Sequence, residues 1–147
     1  MTKYTLYTIG FTKKNAETFF SKLQKAGVTK LIDIRLNNVS QLAGFAKKDD
    51  LIYFLKQLCN CDYIHMPALA PTKDILDSYK KKKIDWNDYE NKFNKLITQR
   101  NIEKKFTAEE LNNACLLCSE HTADQCHRRL VAEYLQKEIP NIQIKHL

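Results

Sequence analysis

The stretch Ala114-Cys-Leu-Leu-Cys118-Ser-Glu-His-Thr122-Ala-Asp-Gln-Cys126-His-Arg-Arg-Leu130-Val-Ala-Glu-Tyr-Leu135 decides how this chain is read. Ala114 to Leu117 is a continuous apolar run, of the kind shown by a strand covered on both faces. The far end carries helical spacing: Cys126 leads to Leu130 and Tyr134, and His127 leads to Val131, Tyr134 and Leu135. Thr122 with Gln125 three residues on reads as a capping box, which predicts a helix starting near Ala123. Between the two stand Cys118, Glu120 and His121, with Cys126, His127 and Arg128 in the first helical turns. Thiols, a carboxylate, imidazoles and guanidinium groups thus gather at a strand C-terminus and a helix N-terminus, where open α/β sheets bind ligands.

Outward from this centre, strands alternate with helices. Tyr4 to Ile9 mixes β-branched, aromatic and aliphatic residues and ends at Gly10, predicting a first strand that enters a tight turn. A helix follows with Phe19, Phe20 and Leu23 as its apolar stripe and Gly27 as a left-handed C-cap. Val28 to Arg35 predicts a second strand, Asn37 to Phe45 a polar loop, and Lys48 to Leu58 a helix buried through Leu51, Phe54, Leu55 and Leu58. Cys61 to His65 is a short third strand ended by Pro67. Thr72 and Asp85 are expected caps of two further helices, the second buried through Trp86, Tyr89, Phe93, Leu96 and Ile97. Ile142 and Ile144 alternate with polar residues, as in an edge strand. This order predicts one α/β domain over residues 1–147: a Rossmann-like, doubly wound, mostly parallel sheet of about five strands. The helix pair between Thr72 and Arg100 is an insertion placed to act as a lid.

Composition narrows the class. At 147 residues there is room for one core, with charged and apolar residues at globular levels. No stretch approaches a membrane span and the N-terminus lacks an apolar signal core, so a cytoplasmic protein with no membrane partner is expected. Five cysteines without secretory context favour reduced thiols. The net charge of +7, with the run Lys80 to Lys83, attracts phosphates or nucleic acid, and is equally the mark of a lysine-rich solvated face.

In such a sheet Gly10, Thr12, Arg35, His65 and Cys118 to Glu120 all fall at strand C-terminal ends and would converge along one edge. Each has an ordinary alternative: Arg35 in a local ion pair, His65 capping a strand, Cys126 and His127 simply packed. Several familiar chemistries drop out. Three glycines and no Gly-x-Gly-x-x-Gly or Gly-Lys-Ser/Thr leave no dinucleotide or P-loop cradle. A phosphatase-like loop needs an arginine six residues after its cysteine, and Cys118 has Asp124 there. Cys115 and Cys118 lie on a predicted strand with side chains on opposite faces, unlike a zinc knuckle or a thioredoxin site. Cys118, His121, Cys126 and His127 have ligand chemistry, but their spacing fits no standard zinc pattern, so neither metal nor other cofactor is expected.

Taken together, Thr8-Ile9-Gly10-Phe11-Thr12, Asp33-Ile34-Arg35, Tyr63-Ile64-His65, the Leu69-Ala70-Pro71 loop and Cys118-Ser-Glu120 with Cys126-His127-Arg128 resemble the domain of unknown function family 488. The Trp86 to Phe93 helix resembles one subgroup of it, while Ala70 stands where many members have glycine. The resemblance covers nearly the whole chain and implies a small Rossmann-like fold and a site at these motifs. It implies no substrate.

The residues themselves favour an enzyme acting on a phosphate-bearing ligand such as a nucleotide or nucleic acid. Arg35 and Arg128 would approach one another and anchor anionic oxygens, helped by the helix start at Ala123 to Gln125. Glu120 is the candidate acid/base, expected at a partly dry rim; Cys118 is the candidate nucleophile, and His127 would orient Glu120 or bind substrate. Gly10, Thr12, His65 and Cys126 complete the expected ligand-binding set. The rivals are a non-catalytic nucleotide- or nucleic-acid-binding module, and a purely structural hydrogen-bonded knot of Cys118, Glu120, Cys126 and Arg128.

Overall fold

Five strands form one sheet in the order β3-β2-β4-β1-β5, and every neighbouring pair is parallel. The computed structural model describes residues 3–38, 44–120 and 122–147. The strands are β1 (Tyr4–Gly10), β2 (Lys30–Asp33), β3 (Asp62–His65), β4 (Ala114–Cys118) and β5 (Ile142–His146). The predicted Ala114 strand is central and wholly buried, and the Ile142 strand lies at an edge. The second strand is shorter than predicted, because the chain leaves the sheet after Asp33.

Helices cover both faces. On one, α1 (Ala16–Ala26), α2 (Lys48–Phe54) and the turn after it pack Phe19, Phe20, Leu23, Leu51 and Leu55 against Tyr7, Ile9, Leu31, Cys115 and Leu117. On the other, α4 (Trp86–Gln99) and α6 (His127–Glu138) pack Phe93, Ile97, Val131 and Leu135 against Leu6, Ile32, Ala114 and Leu116. This alternation along each strand is the period-two rule of a sheet buried on both sides. Gly27 has φ 74° and ends α1 as a left-handed cap, as its position predicts. Thr72 caps α3 (Lys73–Lys80) by accepting from the Ile75 N–H, and Asp85 with Asp88 forms a capping box on α4. Among the described residues no helix is long and apolar enough to cross a membrane.

Three local expectations are corrected. A π-helical turn over Leu55–Cys59 follows α2, and its extra residue rotates Leu58 outward, leaving it 50% exposed instead of buried. A short helix α5 (Ala108–Leu111) was not expected, although Thr107 and Glu110 cap it reciprocally. The decisive stretch also differs: α6 begins at His127, so Thr122 to Gln125 form no helical turn and Cys126 is the N-cap. Of the predicted Asn37 to Phe45 loop, residues 39–43 lie outside the described residues.

Candidate functional site

The topology itself marks a crevice. From β1 the chain crosses to β2, whereas from β4 it crosses the other way to β5, so the direction of winding reverses between the adjacent strands β1 and β4. Ligands of doubly wound sheets bind outside the strand ends at such a reversal. Gly10 and Cys118 are paired in register at that point. A cleft of about 320 Å³ opens there, lined by Cys118, Cys126 and His127 below and by Phe11, Arg35, Tyr79, Lys80, Trp86 and Tyr89 around it.

Its floor is a thiol–imidazole contact. Cys118 Sγ lies 3.2 Å from His127 Nδ1, and His127 Nε2 lies 2.7 Å from the Ile34 carbonyl oxygen. A carbonyl only accepts, so Nε2 carries the proton and Nδ1 is presented to the thiol. The imidazole meets Phe93 edge-on, with ring centroids 5.4 Å apart. Burial pushes the Cys118 thiol up, but donation from Cys126 and from the Ser119 and Glu120 backbone, with the charge of Arg128, brings it below the ordinary thiol value. Burial and the neighbouring Cys118 push Cys126 well above that value. Cys118 is thus shifted towards the thiolate and Cys126 away from it.

The two arginines are not brought together. Arg35 follows Asp33 on the α1 face of the sheet, donating to both carboxylate oxygens at 2.9 and 2.8 Å and to the Ala46 carbonyl at 2.7 Å. Tyr63 donates to the same carboxylate at 2.6 Å, and burial followed by that bond raises its phenol strongly. Arg35 therefore lines the cleft with its charge already neutralised. Arg128 enters the opposite face, donating through Nε to Thr8 at 3.2 Å and through Nη1 to the Glu120 carbonyl at 2.5 Å. It lines a separate depression of about 400 Å³ with Lys13, Lys14, Lys22, Asp124 and His146. The expected Arg35–Arg128 anion clamp is thus corrected, because side-chain parity after β2 sends Arg35 to the α1 face, whereas Arg128 comes from α6 on the other.

Other expectations shift with it. Glu120 reaches the cleft rim but is exposed, and its carbonyl, not its carboxylate, holds Arg128; a dry acid/base site is not formed. His127 orients Cys118 instead of Glu120. Gly10 is no ligand cradle: a Cβ there would collide with the Glu120 carbonyl and Arg128 Nη1, so glycine is needed for the close approach of the protein's own chain. His65 donates to the Arg35 carbonyl at 2.8 Å and is absent from the cleft lining, buttressing the chain after β2. Thr12 lines the cleft and donates its hydroxyl to the Ser119 carbonyl at 2.6 Å. His121 lies outside the described residues. Cys118 and Cys115 face opposite sides of the sheet, as predicted, Cys115 in the α1-side core.

The aromatic wall was not anticipated as part of the site. Tyr79, at the end of α3, meets Trp86 and Tyr89 at the start of α4 with centroids 5.8 and 5.1 Å apart, and Trp86 stacks on Tyr89 at 5.0 Å. The insertion therefore forms one wall of the cleft. Tyrosines and the chain's single tryptophan at helical spacing were legible as a buried stripe, and a stripe alone does not say that one end faces a cavity.

A family described as "Domain of unknown function DUF488" matches residues 15–135, which include α1, the whole cleft floor and the aromatic wall. The chain belongs to this family. Neither the curated proteins nor the solved structures yield a match to it.

Proposed function

We propose that this DUF488 protein is a thiol-dependent enzyme acting on a phosphate-bearing ligand such as a nucleotide or nucleic acid, held in the cleft at the β1–β4 reversal. The observation that carries the reading is the Cys118–His127 contact at 3.2 Å, its imidazole fixed from behind by the Ile34 carbonyl. A nucleophile, a base and a group orienting the base are the parts of an activated-thiol site. The wall of Tyr79, Trp86 and Tyr89 supports a planar ring as one part of the ligand, and Lys80 on the rim supports an anionic part. In this reading the Cys118 thiolate bonds to an electrophilic carbon or phosphorus of the ligand as the leaving group departs. His127 Nδ1 takes the Cys118 proton and passes it to the leaving group; water then attacks the same carbon or phosphorus, giving up its proton through His127 to the departing sulfur.

The test is alkylation of the metal-free protein by iodoacetamide, mapped by mass spectrometry, with Trp86 fluorescence read in parallel. Cys118 is expected to react faster than the half-buried Cys59, and nucleotides to slow it while quenching Trp86. A Cys118 no faster than Cys59, with no protection by any nucleotide or oligonucleotide, would sink the proposal.

The depression holding Lys13, Lys14, Lys22 and Arg128 favours a second reading, a non-catalytic nucleic-acid-binding module. Oligonucleotide binding that weakens steeply with salt and is unchanged in Cys118→Ser, with no turnover, would support it instead.

A further inference from the structure

We infer that Cys118, Cys126 and His127 also form a binding site for a soft divalent cation, of which Zn²⁺ is the type. Their ligand atoms all lie within 4.8 Å of one another, and all three residues are buried. Zinc bonds of ~2.3 Å to sulfur and ~2.0–2.1 Å to nitrogen place tetrahedral ligands roughly 3.5–3.8 Å apart. The Cys118–His127 separation of 3.2 Å is already near that spacing, and no two of the three ligand atoms are more than 4.8 Å apart.

Two further features favour a cation. The bond from His127 Nε2 to the Ile34 carbonyl leaves Nδ1, the nitrogen facing Cys118, as the coordinating atom, the outer arrangement by which metal-binding histidines are oriented. Cys126 is the N-cap of α6, yet its side chain makes no capping bond and is turned to Cys118. Two thiols and an imidazole with no carboxylate select a borderline-soft ion over Mg²⁺ or Ca²⁺. All three residues line the cleft, so a bound ion has three protein ligands and a fourth position open to it. The site uses the atoms of the proposed thiol chemistry without resting on it. A cation on Cys118 draws on the sulfur's electron density and covers one side of it, so metal loading slows covalent chemistry at this floor.

Titration of the reduced, metal-free protein with Co²⁺ tests this. One equivalent is expected to give thiolate charge-transfer absorption and the visible bands of a tetrahedral site, both bleached by Zn²⁺. Cys126→Ser and His127→Gln should each weaken binding by roughly 100-fold or more, since even outer partners of a ligand are worth 10–100-fold. The double variant Cys59→Ser/Cys61→Ser should leave the spectrum unchanged. In the unsubstituted protein, Zn²⁺ should slow alkylation of Cys118 in proportion to the fraction loaded, a readout that needs no variant to fold. Absent bands, or bands lost only with Cys59 and Cys61, together with no zinc protection of Cys118, overturn the inference. Slow alkylation in metal-free protein beside a normal cobalt spectrum would remove the thiol-enzyme reading and leave the cation site standing.

Discussion

His127 and Ile34 are joined by a 2.7 Å hydrogen bond that ties the first residue of α6 to the chain leaving β2. The bond crosses from one strand connection to another and fixes which ring nitrogen meets Cys118. His127→Phe keeps a ring beside Phe93 but leaves the buried Ile34 carbonyl without this donor. We expect about 1–3 kcal/mol lower unfolding free energy in urea, the cost of an unpaired buried acceptor. Alkylation of Cys118 should slow in the same variant.

Gly10 is required by the atoms that crowd it. Gly10→Ala sets a methyl group against the Glu120 carbonyl and Arg128 Nη1, and the carbonyl is held where it is by that arginine. We expect a loss of about 3 kcal/mol, the upper part of the usual overpacking range. A urea midpoint like that of the unsubstituted protein would show that the turn after β4 is freer than its contacts imply.

Asp33 is the buried counterion of Arg35, the two being 0% and 4% exposed. Asp33→Ala leaves that guanidinium uncompensated and is expected to remove about 3–5 kcal/mol. The double variant Asp33→Leu/Arg35→Met should recover part of it, because an apolar pair needs no desolvation of charge although the Tyr63 hydroxyl and the Ala46 carbonyl lose these partners. Double-mutant analysis of urea unfolding separates the two outcomes.

Alkaline pH should destabilise the fold. Burial raises Cys115 well above 9.0 and pushes Cys61 up to about 12, and it also raises the Tyr63 and Tyr89 phenols. A group whose pKa is raised on folding stabilises fully below its unfolded value. That contribution is lost as pH climbs from 9.0 towards the folded value, because the unfolded chain releases the proton first. Melting temperature should therefore fall above pH 9.0, and Cys115→Ala should flatten the slope.

Much of the architecture was legible because it rests on local pattern. The apolar run at Ala114, the left-handed Gly27 and the caps at Thr72 and Asp85 are all signals that short segments carry by themselves. The start of α6 was misread because Thr122 and Gln125 offer capping chemistry, whereas tertiary bonds of Cys126, His127 and Arg128 to Cys118, Ile34 and Thr8 set the real boundary. Leu58 was misplaced because a π turn leaves no mark in helical spacing. The site's floor was foreseeable from the strand–helix junction, but not the partners within it. Parity did hold the answer for the arginines. Leu31 lies in the α1-side core and Ile32 and Ile34 in the α6-side core, which assigns Asp33 and the extended Arg35 to the first, away from α6.

The thiol–imidazole floor and the aromatic wall come from separate stretches of chain. Cys118 and His127 are anchored to β4, Ile34 and α6, whereas Tyr79, Trp86 and Tyr89 belong to the α3–α4 pair. Phe93, stacked on Tyr89 at 6.1 Å between centroids and edge-on to His127, is the joint between them. In the proposed reading, changes at Tyr79 or Trp86 would therefore alter which ligands fit without moving Cys118 or His127. On the proposed function, such a plan would let the choice of ligand drift from species to species while the thiol and imidazole beneath it stay as they are.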